Sequence, residues 1–170
     1  MKYLYPSDIE NVLERRLQKI LGPSFVRESL HPALDALTGL PPVQAMQVIK
    51  TWSNSWATTY RFHEARRLSC LFGCADASDD LAHYAFCEVL EGIMSQFVSE
   101  GGTDCLGLTH PSASNLQCIA CMFYAYHAVK QLDTVKNKIS AERTSDFTTH
   151  EYNLHQRLFA GSFEAALRHA

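Results

Sequence analysis

Cys70-Leu-Phe-Gly-Cys74-Ala-Asp-Ala-Ser-Asp-Asp-Leu-Ala-His83-Tyr-Ala-Phe-Cys87 is the stretch around which the rest of the chain is arranged. It holds a tight cysteine pair, a short loop, and then a histidine and a cysteine one helical turn apart. Zn²⁺ favours a tetrahedron of thiolate sulfur and imidazole nitrogen, and a structural site fills all four positions with protein ligands. Cys70, Cys74, His83 and Cys87 supply that set. If Asp79 and Asp80 open a helix, as acidic side chains do at its positive end, His83 and Cys87 at i and i+4 project from one face toward the Cys70/Cys74 turn. Gly73 suits the turn that brings backbone close to an ion. Free cysteine is also one of the most buried residue types, so the alternative for the same stretch is a cysteine-rich patch of core with no metal.

Composition narrows the class of protein. The chain has 170 residues, 46% of them hydrophobic, with a net charge of -3. A single domain over residues 1–170 is the expected size, and the apolar fraction is ample for one core. The mild negative charge gives no global attraction to phosphate backbones or anionic membranes, so any nucleic-acid contact has to be a local patch. The first ten residues lack an apolar core of signal-peptide length, and no later run of about 18 apolar residues predicts a membrane span. An intracellular, reducing compartment is expected, where the six cysteines serve as thiols or ligands rather than disulfides. Nucleus, cytoplasm and organelle all fit.

Helical periodicity runs through the whole chain. Ser7 and Glu10 fit a capping box, Ile9, Val12, Leu13, Leu17, Ile20 and Leu21 make an apolar stripe, and Gly22-Pro23 stops it. Arg15, Arg16 and Lys19 in its second half read first as a solvated face that complements the helix dipole. A short helix fits over Ala33 to Leu37. From Pro41-Pro42, Val43, Met46, Ile49, Ser53, Trp56 and Tyr60 recur at three and four, which predicts one helix running to the cysteine stretch, with its large aromatics in the core. The helix opened by Asp79 is expected to continue through Leu90, Ile93, Met94 and Phe97 to Gly101-Gly102. Ser112 or Ser114 caps a helix that is apolar on several faces and therefore central. Cys118 and Cys121 lie inside it, at least a turn from the N-terminus where a redox pair belongs, and read as buried structure. Lys130, Lys136, Lys138 and Arg143 mark a polar region, and the tail is amphipathic with an interruption at Gly161-Ser162. No strand series appears. The expected fold is all-α, a bundle of about five to six helices with a small zinc knuckle at residues 70–87.

Tyr60-Arg61-Phe62-His63-Glu64-Ala65-Arg66-Arg67 is the most basic local stretch. Arg61, Phe62, His63, Arg66 and Arg67 have the chemistry to clamp a phosphate backbone and stack a base. The competing expectation spends these arginines on Glu64, Asp76, Asp79 and Asp80. No phosphate-binding glycine loop, nucleophile elbow or H-E-x-x-H motif is present. Ala77-Ser78-Asp79-Asp80 is similar to the aromatic-x-Asp-Asp turn of polymerases but lacks the aromatic, and its acids read as helix caps. Four protein ligands leave no open position for an activated water, so no catalytic role or small-molecule substrate is expected.

Trp52-Ser-Asn-Ser-Trp56-Ala-Thr-Thr-Tyr-Arg61-Phe-His63, followed by the Cys70/Cys74 pair and by Asp79-Asp80-Leu-Ala-His83-Tyr-Ala-Phe-Cys87, resembles the region downstream of the polymerase in non-LTR retrotransposon reverse transcriptases. The likeness covers roughly residues 43 to 97. It implies that Cys70, Cys74, His83 and Cys87 are zinc ligands and that the segment handles template RNA or target DNA. The chain departs from the family in leaving three residues between the histidine and the last cysteine where four is usual, and in carrying no polymerase or endonuclease segment. Two functions follow as expectations: a non-catalytic zinc-stapled module that binds RNA or DNA, or an assembly subunit that uses the same scaffold to hold protein partners in a larger complex.

Overall fold

A computed structural model of the chain describes residues 6–64, 67–97, 105–140 and 146–169. Arg66, Gly101-Gly102 and Arg143 lie outside the described residues. The fold is all-α, with eight α-helices among the described residues against the five to six expected, and one isolated bridge between Ser69 and Ser78.

The first helix is α1 (Pro6–Leu21), a range that includes Ser7 and Glu10 of the expected capping box. Leu13, Leu17 and Ile20 carry its buried stripe. It stops as expected at Gly22, which sits at φ +56°. Two 3-10 turns lead into α2 (Leu30–Leu37) and then α3 (Pro42–Trp52). Here the structure corrects the sequence reading. The helix ends at Trp52, because Asn54 turns into left-handed backbone at φ 56°, and the residues up to Tyr60 form turns. The buried face of α3 is Val48, Thr51 and Trp52, whereas Val43 and Met46 on the expected face are 71% and 51% exposed. Period alone gives a stripe; it does not say which side faces the core.

The predicted helix from Asp79 to Phe97 is two helices, α4 (Leu81–Tyr84) and α5 (Glu88–Met94), separated at Ala85–Cys87. Ser112 caps α6 (Ala113–Lys130), its hydroxyl accepting from the Asn115 amide. As predicted, α6 is central: α3 and α8 (Thr149–Arg168) pack along it, with α2 and α7 (Asp133–Ser140) at its ends. The polar region after Lys130 is thus itself helical. α8 opens with a capping box in which the Thr148 hydroxyl accepts from the Glu151 amide and the Glu151 carboxylate accepts from the Thr148 amide. It runs through Gly161-Ser162 without the expected interruption. Glycine weakens a helix interior by about 1 kcal/mol, and the buried anchors Phe159 and Phe163 on either side outweigh that cost.

Trp52 and Trp56 are fully buried, as their core assignment requires. The Trp56 ring lies 4.4 Å from that of Tyr126 and 5.7 Å from that of Tyr84, and its Nε1–H donates to Thr51 Oγ1 at 3.0 Å. Trp52 Nε1–H donates to the Leu106 carbonyl at 2.8 Å. His127 edges the same cluster: Nδ1 lies 2.7 Å from the Phe123 carbonyl, and Nε2 accepts the Ala57 amide at 3.4 Å. That pattern needs the neutral tautomer with its proton on Nδ1, and burial holds the imidazole pKa below its ordinary value. The unfolded chain therefore takes up a proton first as pH falls below about 6.5, and the folded state loses stability from there down to the lowered folded-state pKa. The expected result is a melting temperature that drops between pH 7.5 and 5.5. A His127→Asn variant should show a shallower drop; an unchanged slope would rule this assignment out.

Candidate metal centre

Cys70, Cys74, His83 and Cys87 come together as the sequence predicts: one ligating atom from each lies within 4.8 Å of all the others. Cys74 Sγ and Cys87 Sγ are 3.5 Å apart, close to the roughly 3.8 Å edge of a tetrahedron with metal–sulfur bonds of about 2.3 Å. Cys70 and Cys87 are buried, Cys74 and His83 half-buried.

The first pair is held by a stub of antiparallel backbone. The Cys70 amide donates to the Ala77 carbonyl at 2.7 Å, the Asp79 amide to the Leu68 carbonyl at 2.9 Å, and the Gly73 amide to the Cys70 carbonyl at 3.3 Å. The turn puts the Phe72 amide 3.4 Å from Cys70 Sγ. Gly73 takes φ +93°, and a Cβ there would stand 3.2 Å from the Tyr152 ring, so both the conformation and the close approach require glycine.

The second pair differs from expectation in a way that matters chemically. His83 is in the first turn of α4, whose N-cap Asp80 accepts the His83 amide at 2.7 Å. Cys87 is not on the same helix; it is the extended N-cap residue of α5, at φ -76° and ψ 106°. Breaking the helix frees the first amides of α5, which a continuous helix would have spent on carbonyls four residues back. The Val89 amide acts to lower the Cys74 thiol and the Leu90 amide the Cys87 thiol, against the larger effects that raise both.

The three thiols are shifted in opposite directions. Cys70 is pulled down to about 5 by hydrogen bonding from the Cys87 thiol, helped by the Cys74 and Phe72 amides and opposed by burial. Cys87 is pushed up by the hydrogen bond it makes to Cys70 and then by burial. Cys74 is raised by burial and by the charge on Cys70. A cation in the middle reverses the last two shifts, because a coordinating thiol is deprotonated outright. His83 Nε2 is buried without a hydrogen-bond partner, a costly state for a polar atom that coordination to a metal relieves. The donor set and the orphaned nitrogen both fit a metal.

The chain has surrounded this cluster with groups that sequence reasoning missed. From α8, Tyr152 Oη lies 3.1 Å from Ser69 Oγ, His155 Nδ1 2.8 Å from the Leu71 carbonyl, and Gln156 Nε2 donates to the Phe72 carbonyl at 2.7 Å. The Thr148-x-x-Glu151 capping box was the available signal that a firm helix starts there. Asp79 is not a helix cap. It is fully buried, and its two oxygens accept from Tyr84, Tyr126, the Thr59 amide, the Thr59 hydroxyl and Lys130, at 2.8 to 3.0 Å. One carboxylate thus ties the loop before the clasp, α4 within it, and α6.

The basic stretch lies in the turns before Cys70. Arg61, Phe62, His63 and Arg67 are all exposed, and Arg66 lies outside the described residues. Among the described residues Arg61 and Arg67 form no ion pair with a neighbouring acid; Asp79 is used internally and Asp80 caps α4. Instead the Arg61 guanidinium stands 5.0 Å from the Phe62 ring centre and Arg67 4.5 Å from that of Tyr60. Those rings are 55% and 46% exposed. Cys118 and Cys121 are buried in α6, as expected, and burial raises both thiols, which makes them poor nucleophiles. Among the described residues no helix is long and apolar enough to cross a membrane. Compared with known proteins, the chain matches no family model, no curated protein and no solved structure.

Proposed function

We propose that the chain is a non-catalytic, zinc-stapled helical module that binds RNA or DNA, in the manner of the segment downstream of the polymerase in non-LTR retrotransposon reverse transcriptases. Zn²⁺ held by Cys70, Cys74, His83 and Cys87 supplies a cross-link and leaves no position for substrate. The contact lies beside it, on Arg61, Phe62, His63, Arg66 and Arg67. One observation carries this reading: two arginines stacked on two exposed rings, with no ion-pair partner among the described residues. Desolvated acid partners would have cancelled such a patch. Arginine on an open aromatic instead presents cation and stacking surface together, which is what an unpaired base and its phosphate use. Titration of a fluorescent oligonucleotide at about 50 mM salt tests it. An Arg61→Ala/Arg67→Ala variant should bind at least about tenfold more weakly, since each lost stacking or phosphate contact is worth about 1–3 kcal/mol; equal binding by variant and parent would discard the assignment.

A second reading, an assembly subunit, is favoured by a different face. Val43, Met46 and Tyr124 are exposed apolar side chains beside a groove of about 430 Å³ between α3, α6 and α8. Contiguous apolar surface of this kind marks protein contacts. A purified chain that stays monomeric and retains no protein partner in a pull-down would remove this reading.

A further inference from the structure

We propose that the nucleic-acid surface does not end at the arginine loop but continues across a cleft onto α1, so that the ligand is an extended single strand rather than a duplex. The inference rests on the binding role of the loop just described and adds its ligand class and its second half.

Arg15, Arg16 and Lys19 are exposed and occupy one face of α1, at the i, i+3 and i, i+4 spacings that make helix neighbours. Together with Val12 and Gln18 they line an open cleft of about 530 Å³. Among the described residues Arg15 spends only its Nε, on the Asn11 carbonyl at 3.1 Å. The carboxylate nearest in sequence, Glu14, is paired with Arg27 at 3.3 Å. Three cations on one helical turn are thus exposed and without an ion-pair partner among the described residues, in a chain whose net charge is -3. They could still be an ordinary solvated face were it not for where Lys19 lies.

Lys19 also lines a second cleft, of about 340 Å³, whose other walls include Asn54, Thr58 and Tyr60. Tyr60 is the ring that carries Arg67. The cations of α1 therefore lead through a cleft of mixed lining, with Ile20, Leu81 and Ala82 beside its polar groups, to the stacked Arg67/Tyr60 pair and on to Arg61/Phe62. Asp80 is the one acidic side chain among the described residues of that cleft, and its Oδ1 already accepts the His83 amide; Glu64 is exposed next to the loop. Cations thus outnumber acids along the track among the described residues, and the order along it is cation, mixed cleft, ring with arginine, ring with arginine. A duplex keeps its bases stacked inside and can use only the cations. An unpaired strand uses both, laying phosphate on the cations and bases on the rings.

The test uses the zinc-loaded full chain, with 12-nucleotide oligouridylate, 12-nucleotide oligothymidylate and a blunt duplex of equal length as probes. Affinity is read over a series of salt concentrations. Arg15→Ala/Arg16→Ala/Lys19→Ala, at exposed positions, should leave zinc content and helical circular dichroism unchanged. It should weaken single-strand binding about tenfold at low salt and reduce the slope of log affinity against log salt by about 2, three contacts at about 0.7 each. The duplex should bind at least about tenfold more weakly than either single strand. If the triple variant matches the parent in affinity and slope while Arg61→Ala/Arg67→Ala binds weakly, the α1 extension is wrong and the loop assignment stands. If duplex and single strand bind alike, the single-strand assignment is wrong. If the parent binds none of the probes, both proposals fall.

Discussion

Chelation should unfold this protein. Purified without chelator, it is expected to carry one zinc per chain by elemental analysis, and a strong chelator should abolish its helical circular dichroism. Apparent binding free energies at structural zinc sites are on the order of 10–16 kcal/mol, whereas a domain of this kind has a total stability of about 5–15 kcal/mol. The ligand energy is thus comparable to everything else combined. Without a cation, three thiols and an imidazole crowd within 4.8 Å, two of the thiols are held protonated, and His83 Nε2 has no partner. Cys74→Ser or His83→Ala should therefore lose both the metal and the cooperative melt. Cys118→Ala and Cys121→Ala, outside the ligand set, should keep the full zinc content. Protein that contains no zinc, or that melts at the same temperature with and without chelator, would remove the centre and with it the zinc-stapled part of the proposed function.

The second large effect is at Asp79. Asp79→Asn is expected to cost about 3–5 kcal/mol, the range for breaking a buried ion pair by removing one partner. Whichever way the asparagine turns, its NH2 replaces a carboxylate oxygen that two or three donors now use. On one side are the two tyrosine hydroxyls; on the other are the Thr59 amide, the Thr59 hydroxyl and Lys130, at 2.9 Å from the carboxylate. It also leaves the buried Lys130 ammonium without a counter-charge. Lys130→Met should cost less, because four neutral donors still surround the carboxylate and the long methionine fills the lysine's volume. Urea unfolding of the two variants measures this order. Equal costs, or a near-silent Asp79→Asn, would mean that the network is not the pin described here.

The clasp was legible because its ligands are local. Cys70 to Cys87 place four metal-binding side chains within one short stretch, and their convergence depends on a turn and a helix start rather than on distant packing. The central α6, the stop of α1 at Gly22 and the core role of Trp52 and Trp56 were legible for similar reasons: composition and punctuation act within a few residues. What escaped reading was set by tertiary structure. Asp79 and Asp80 are adjacent and look alike, yet Asp80 caps a helix while Asp79 is buried, because Tyr126 and Lys130 reach it from α6. The helical period ran on past Trp52 although the backbone turned at Asn54, since Trp56 is held by its ring neighbours rather than by a helix. The break at Cys87 could not be seen from a period either. It follows from where the first amides of α5 are needed.

The grip of α8 on the cysteine turn has a consequence for the order in which the chain assembles. If Cys70, Cys74, His83 and Cys87 hold a metal ion as proposed, they close a short loop, which forms quickly and early once Cys87 has left the ribosome. Tyr152, His155 and Gln156 reach the same turn across more than eighty residues, a contact of high sequence separation that forms slowly. During synthesis the knuckle therefore exists for a time without its C-terminal cover, with Leu71 and Phe72 open to water. Truncation before α8 should trap that state, a metal-holding knot with an exposed apolar flank and a tendency to aggregate.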